Sequence, residues 1–335
     1  LSKLRYIPTL STSPFLHDRT STQKIMWEVV YTLIPLVFAS MYFFGLGALL
    51  VILASVMGSL LTEFVLNKRK SVRQIADGSA MITGILLGLC LPPAFPLWMA
   101  FLGGVISIAM GKTIWGGLGN NVFNPALVGR AFLQAAFPSA ITTWTTPVNG
   151  SNWLQTYTSN FAPPFLKSQE PDMISGATSL SKMKFEHSFT NTSDLFLGNV
   201  NGSLGETASF LILILGIYLI WRKLMTWRIP LSILATVILF SGIFYMLDPG
   251  SYPPPLFMIF SGGLMLGTFY MATDLVTSPV TPKGQWIFGI GIGILVVLIR
   301  YWGGLPEGVM YAILLMNAAT PLINKATKIK PYGRR

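Results

Sequence analysis

Long apolar runs separated by short polar stretches dominate this chain. The hydrocarbon core of a bilayer is about 30 Å thick and takes roughly 20 apolar residues of helix to cross. On that measure the pattern predicts ten spans, at 26–44, 46–66, 79–91, 97–110, 125–137, 208–221, 229–247, 256–272, 286–301 and 309–323. An even count puts both termini on one side of a membrane. Five spans precede, and five follow, a long polar segment at 138–206 that carries Trp144 and Trp153. With an odd number of spans in each half, two halves sharing a fold must be inverted relative to each other.

The fold class expected is therefore an all-α polytopic membrane protein. It has about ten transmembrane helices in two inverted five-helix halves, some of them short or broken. The divisions are an N-terminal arm at 1–25, membrane halves at 26–137 and 207–323, the polar segment at 138–206 between them, and a tail at 324–335. Two spans, 79–91 and 125–137, are short; the first ends at Pro92-Pro93 and the second starts at Asn124-Pro125. Such pieces either form broken helices lining a site at membrane depth or are tilted ordinary helices with polar ends.

Composition agrees with the pattern. Only 10% of the 335 residues are charged and 52% are hydrophobic, with mean hydropathy +0.60. A soluble domain carries about 25% charged residues, so a soluble enzyme is excluded. Cys90 is the single cysteine, and the two histidines, His17 and His187, lie outside the apolar runs. That set excludes a disulfide framework, a Cys-ligated iron–sulfur cluster, a structural zinc site and an intramembrane bis-histidine haem.

The net charge of +11 has a direction. Of the 23 Lys and Arg residues, eighteen fall on the side of the termini. Four (Lys167, Lys182, Lys184 and the helix-end Arg300) fall on the other, and Arg130 lies within a span. Positive charge is retained in the cytoplasm. Both termini are thus expected to be cytoplasmic and 138–206 external, with basic residues near membrane lipid and no nucleic acid partner. The first apolar run is full length and lacks a small-residue cleavage site, so a cleavable signal peptide is not expected.

Two familiar glycine motifs fail. Gly111-Lys112-Thr113 lacks the glycine a phosphate-binding loop needs at position 106, which is Ile106. Gly289, Gly291 and Gly293 lie inside an apolar run and, like Gly84/Gly88 and Gly263/Gly267, read as small-residue ridges for close helix packing.

One motif carries chemistry. Asp172-x-x-Ser175-Gly176-Ala177-Thr178 is an ordinary polar turn by composition. It also resembles the acceptor motif at which a flavin transferase esterifies the phosphate of FMN to a threonine hydroxyl. Other segments share the resemblance in the same order. They are Asp77-Gly78-Ser79-Ala80 with Leu91-Pro92-Pro93; Asn121-x-x-Asn124-Pro125-Ala126 with Gly129-Arg130; Ala272-Thr273-Asp274 with Thr277-Ser278-Pro279; and Pro306-Glu307-Gly308 leading to Asn317. Together they resemble the D subunits of Rnf complexes, relatives of the B subunit of the sodium-pumping NADH:quinone reductase. Leu275 departs from the family, which often has Pro after Thr-Asp.

The resemblance implies a redox subunit, inactive alone, of a translocase in a bacterial cytoplasmic membrane. That complex passes electrons between reduced ferredoxin and NAD while moving Na⁺ or H⁺, and the partners implied are its A, B, C, E and G subunits. FMN would be joined to Thr178 through a phosphoester. Asp172, Ser175, Gly176 and Ala177 would form the attachment motif. Relatives can hold a second, non-covalent flavin, riboflavin, for which the short spans are the expected place.

Intramembrane charge is costly and is usually paired or lines a cavity. Arg130 either contacts a flavin or pairs with a carboxylate on a neighbouring helix. Asn121 and Asn124 can bind a flavin's ring edge or cap the helix that starts at Pro125. Asp77 and Ser79 have a similar choice at the start of 79–91. Asp274 caps the turn into Ser278-Pro279 or touches a transported ion, and Glu28 and Glu63 are expected to reach the interface from span ends. Two other function classes fit ten helices in inverted halves: a solute or ion channel or transporter, and a membrane scaffold. A flavin on Thr178 separates the redox reading from both.

Overall fold

The computed structural model describes residues 21–66, 77–150, 152–164 and 176–328. Helix α1, Thr22–Phe44, starts where the Ser21 hydroxyl accepts the Lys24 N–H at 3.2 Å, satisfying one of the donors that every helix N-terminus leaves open. A single residue, Gly45, joins it to α2, Leu46–Leu66. Gly45 has φ +76°, and a Cβ there would sit 3.0 Å from the Gln155 carbonyl oxygen. The turn is left-handed and enclosed at once, so glycine is the residue that fits.

Helix α3 is Ser79–Leu89, α4 is Leu97–Ile108 extended by a π-helical turn at Ala109–Thr113, and α5 is Pro125–Ala136. After the polar segment come α6, Ser209–Trp221, and α7, Arg228–Leu247. Helix α8 is in two pieces: α8a, Pro255–Phe260, and α8b, Leu264–Leu266 continuing into a π-helical turn at Gly267–Met271. Helices α9, Pro282–Trp302, and α10, Val309–Ala326, complete the chain. The run expected as one span at 256–272 is thus interrupted at Ser261, Gly262 and Gly263. Apolar composition alone gives no hint of the break, because the flanking residues stay apolar throughout.

Among the described residues four helices, α1, α2, α7 and α9, are long and apolar enough to cross a membrane; the rest are shorter or less apolar. The protein is an all-helical polytopic membrane protein, and its two halves repeat one packing scheme. In the first, α2 packs on α3 and α4, and α4 on α5; in the second, α7 packs on α8 and α9, and α9 on α10. Contacts of α1 with α6 and of α5 with α10 join the halves.

Small residues set the spacing. A Cβ on Gly104 of α4 would fall 2.2 Å from the Ser55 carbonyl of α2, and one on Gly84 of α3 2.5 Å from Val56 Cα. On the other side, Gly289 of α9 leaves room for the Ser232 side chain of α7. Without a hydrophobic drive between helices in lipid, such close van der Waals approach is what holds them together. Leu33, Phe44, Leu87, Phe257 and Phe288 fill the interior, while Phe38, Leu53, Leu239 and Leu247 face outward, as lipid contact allows.

The described parts of the polar segment are folded onto one end of the bundle. Val148 N and Gly150 N donate to the carbonyls of Phe43 and Tyr42 at 2.7 and 2.9 Å. The Asn160 side chain donates to the Pro93 and Phe95 carbonyls at 3.1 and 2.9 Å. Leu204 N and Gly205 N donate to Leu91 and Leu89 at 3.1 and 2.7 Å, closing the C-terminus of α3. This end therefore gathers the α1–α2 turn, the end of α3 and the 176–208 stretch into one layer.

Candidate functional site

In that layer lies a cavity of about 370 Å³, within the range of about 300–1,000 Å³ usual for small-molecule sites. Gly176, Ala177 and Thr178 form one wall, Arg130 and Gln134 of α5 another, and Glu307 with Met310 and Tyr311 a third. Trp144 and Phe185 add aromatic surface. The backbone is held in place locally. Gly176 N donates to the Trp144 carbonyl at 3.1 Å, and a Cβ on Gly176 would fall 1.8 Å from Asn201 Nδ2.

Thr178 caps the short helix Ser179–Ser181. Its Oγ1 accepts the Ser181 N–H at 3.1 Å and lies 2.9 Å from Ser181 Oγ. Both contacts can be made with Oγ1 as acceptor, and an ester oxygen is an acceptor still. Neither contact needs the hydroxyl proton of Thr178.

Arg130 is ion-paired with Glu307. The partner is not on a neighbouring helix but in the connection between α9 and α10, so the pair ties the first half to the second across the cavity. Glu307 Oε1 is buried with no partner among the described residues.

Behind the cavity is a second pair of charges. Arg300, in the last turn of α9, is fully buried. It donates to the carbonyls of Met258 and, at 2.8 Å, Ser261. Those are carbonyls left open where α8a stops, so a cation fills the position that the next helical turn would have occupied. Glu206 comes to the same side of the break, its Oε1 3.1 Å from where a Cβ on Gly262 would sit, and accepts from Ser203 N and Ser203 Oγ at 2.8 and 2.9 Å. Lys184 donates to the Ile299, Arg300, Gly303 and Leu305 carbonyls at the end of α9.

Comparison with known proteins follows the same lines. The model of the NQR2, RnfD, RnfE family matches residues 9–333. The chain belongs to that family. Its curated relatives include the D subunit of the proton-translocating ferredoxin:NAD(+) oxidoreductase complex of Clostridium ljungdahlii, 40% identical over 98% of this chain and 96% of the relative. The D subunit of the Na(+)-translocating ferredoxin:NAD(+) oxidoreductase complex of Acetobacterium woodii is 40% identical over 97% and 95%. The D subunit of the ion-translocating oxidoreductase complex of Stutzerimonas stutzeri is 39% identical over 94% and 93%.

For a member of the NQR2, RnfD, RnfE family, the other sequence-derived positions divide into separate places. Asp172 and Ser175 lie outside the described residues. Arg130 belongs to the Thr178 cavity, whereas Asn121 and Asn124 line a different one, of about 60 Å³, together with Lys112 and Asp274. Arg130 thus stands apart from Asn121 and Asn124, in a different cavity.

Asn124 caps α5, accepting from Ala126 N and Leu127 N at 3.0 and 3.4 Å, and donates to the Met271 carbonyl at the end of α8b. Asn121 Oδ1 is buried without a partner among the described residues. Asp274 accepts the Thr277 hydroxyl at 3.1 Å, the turn-capping contact. Asp77 Oδ1 accepts both Ser79 N and Ser79 Oγ, at 2.8 and 2.5 Å.

Glu28 reaches Arg222 at 3.1 Å in a partly exposed pair. Glu63 does not reach an interface. It is buried against Lys112 at 2.5 Å, and the same ammonium donates to Ser79 Oγ at 2.5 Å. The residues that sequence reasoning missed are Glu307, Glu206 and Lys184. The first was quoted only as part of a motif, and the other two sit in polar stretches where one charge stands out little from its neighbours.

Proposed function

We propose that this chain is the flavin-carrying membrane subunit of an ion-translocating complex that moves electrons between reduced ferredoxin and NAD. FMN would be joined to Thr178 as a phosphoester and occupy the cavity between α5, the 176–185 stretch and the start of α10. The observation that carries this reading is Thr178 on the wall of a 370 Å³ cavity, with an Oγ1 whose hydrogen bonds do not need its own proton. When bound, the flavin would supply one- and two-electron acceptance and donation, which no side chain in this chain provides.

The chain's own residues have definable parts. Ser181 fixes the oxygen that would bear the phosphoryl group. Arg130 puts a guanidinium on the cavity wall, where it would favour negative charge on the phosphate or the ring. Trp144 and Phe185 would shield the ring from water. Glu307 holds Arg130 in place. The partners would be the other subunits of the complex, and the membrane a bacterial cytoplasmic membrane, with both termini inside and 138–206 outside. A second, non-covalent flavin, if the complex holds one on this chain, would lie among the short helices, where Asn121 and Asn124 line a separate cavity.

The interrupted helix α8, with buried charge at its break, favours a second reading as a solute or ion transporter, since broken helices line such sites. Ultraviolet illumination of a denaturing gel separates the two. Flavin fluorescence that travels with the chain and is lost in Thr178→Val supports the redox subunit. A dark band from a host that has the flavin transferase refutes it.

A further inference from the structure

At the end of the bundle opposite the Thr178 layer, three helix ends meet. Helix α9 runs its 21 residues, about 30 Å, from Pro282 there to the carbonyls that Lys184 caps. Helix α7 starts beside it and runs parallel: Gly289 faces Ser232, and four residues further on Gly293 faces Thr236. The end of α10 joins them, where the Thr327 and Thr281 hydroxyls hydrogen-bond and Asn324 Oδ1 accepts Val280 N at 3.2 Å.

Two tryptophans and two cations lie on the seam between α7 and α9. Trp227 and Trp286 meet edge to face with ring centroids 6.1 Å apart, and both are exposed. The Arg228 guanidinium lies 5.5 Å from the Trp227 ring centroid and donates to Gln285 Oε1 at 3.4 Å. Gln285 is buried and held in turn, its Nε2 donating to the Pro279 carbonyl at 3.3 Å. A guanidinium carries five N–H donors in a rigid fork, so this one is fixed in place with most of its donors open. Lys283 is exposed three residues before Trp286, on the same helix face. Among the described residues neither Arg228 nor Lys283 has a carboxylate within 4 Å, whereas Arg222 nearby in sequence is already paired with Glu28. Further along the seam Leu231 and Ile287 leave aliphatic surface exposed. Tryptophan marks the headgroup level of a bilayer, so the cations stand at the depth of lipid phosphates and the aliphatic residues at that of acyl chains.

We propose that the α7–α9 seam binds one anionic phospholipid, its phosphate on Arg228 and Lys283, its glycerol region against Trp227 and Trp286, and an acyl chain along Leu231 and Ile287. Charge complementarity selects the headgroup. Two cations without an acid beside them favour a lipid of net negative charge over a zwitterionic one, whose own ammonium would meet them. Arg228 adds geometry to charge, because its fork matches two phosphate oxygens at once. The site shares no residue with the Thr178 cavity, and a lipid held there would brace the starts of α7 and α9 from outside.

The test is native mass spectrometry of the full chain in mild detergent, offered phosphatidylglycerol or phosphatidylcholine with the same acyl chains. The expected result is one phosphatidylglycerol held in preference to phosphatidylcholine. Arg228→Gln with Lys283→Gln should weaken it about thirtyfold, the share of two basic residues near anionic lipid. Lys325→Gln with Lys328→Gln removes two exposed cations from the end of α10 and should change it by less than about threefold, since exposed charges beyond a Debye length are screened. Equal binding of the two lipids overturns the inference, and so do equal losses in the two double variants, which would mean diffuse attraction to a basic surface. Displacement of the lipid by inorganic phosphate, with chloride of matched ionic strength as control, would reveal a free-phosphate site and also overturn it. If the Arg228 and Lys283 double variant fails to fold, Arg228→Lys carries the test. It keeps the charge and loses the fork, so weaker phosphatidylglycerol binding is expected, and an affinity equal to that of the unaltered chain refutes the assignment.

Discussion

Removing either member of the Arg130–Glu307 pair should destabilise the chain far more than removing both. The two side chains are 9% and 21% exposed, so each is largely withdrawn from water. Arg130→Met leaves the Glu307 carboxylate without its cation, with Oε1 already lacking a partner. Glu307→Leu strands the guanidinium in the same way. Breaking a buried pair on one side costs about 3–5 kcal/mol; the fifth of Glu307 that stays exposed argues for the lower end, about 3 kcal/mol per single variant. The double variant replaces an ion pair by apolar contact between α5 and the α9–α10 connection. Its cost should fall short of the summed singles by about 1–3 kcal/mol, the coupling usual for residues in one network. The assay is urea unfolding of the chain in mild detergent, with midpoints compared at constant slope. Singles that add to the double within about 0.5 kcal/mol would show that the two halves are not tied here.

Three further outcomes follow from the same geometry. Gly176→Ala should force Asn201 aside and reduce flavin attachment, read as in-gel fluorescence per chain, and Asn201→Ser in the same chain should restore it. Lys112→Met removes the ammonium shared by buried Glu63 and Ser79 and should cost about 3–5 kcal/mol in detergent unfolding, a loss that adding Glu63→Gln should reduce. Lys184→Met removes the cation from the carbonyls ending α9 and should cost up to about 2 kcal/mol, seen as faster amide exchange over 299–308 with the rest of α9 unchanged.

What the sequence made legible was whatever depends on long runs. Helices α1, α2, α7 and α9 follow from apolar stretches that meet the thickness of a bilayer, and the small-residue ridges of α3 and α9 foretell the close approaches at Gly84 and Gly289. The break in α8 was hidden because Ser261, Gly262 and Gly263 look like one more such ridge; only the placement of Arg300 shows that the carbonyls there need a cation. Buried charge was the least legible property. Lys112, Glu63 and Arg300 sit near span ends in sequence, where a charge ordinarily reaches water, and whether it does depends on which helix covers it. Arg130 stood out because it interrupts an apolar run, yet its partner Glu307 lies 177 residues away, a distance no local pattern spans. The attachment motif was recognised by resemblance, and its relation to Arg130 emerged only once α5 and the 176–181 stretch were seen against one cavity.

The most direct test is mass spectrometry of the tryptic peptide from residue 168 to Lys182, taken from membranes of a host that possesses the flavin transferase. The account predicts that this peptide is heavier by FMN less one water, with fragments placing the added mass on Thr178. An unmodified peptide from an otherwise active complex would contradict it.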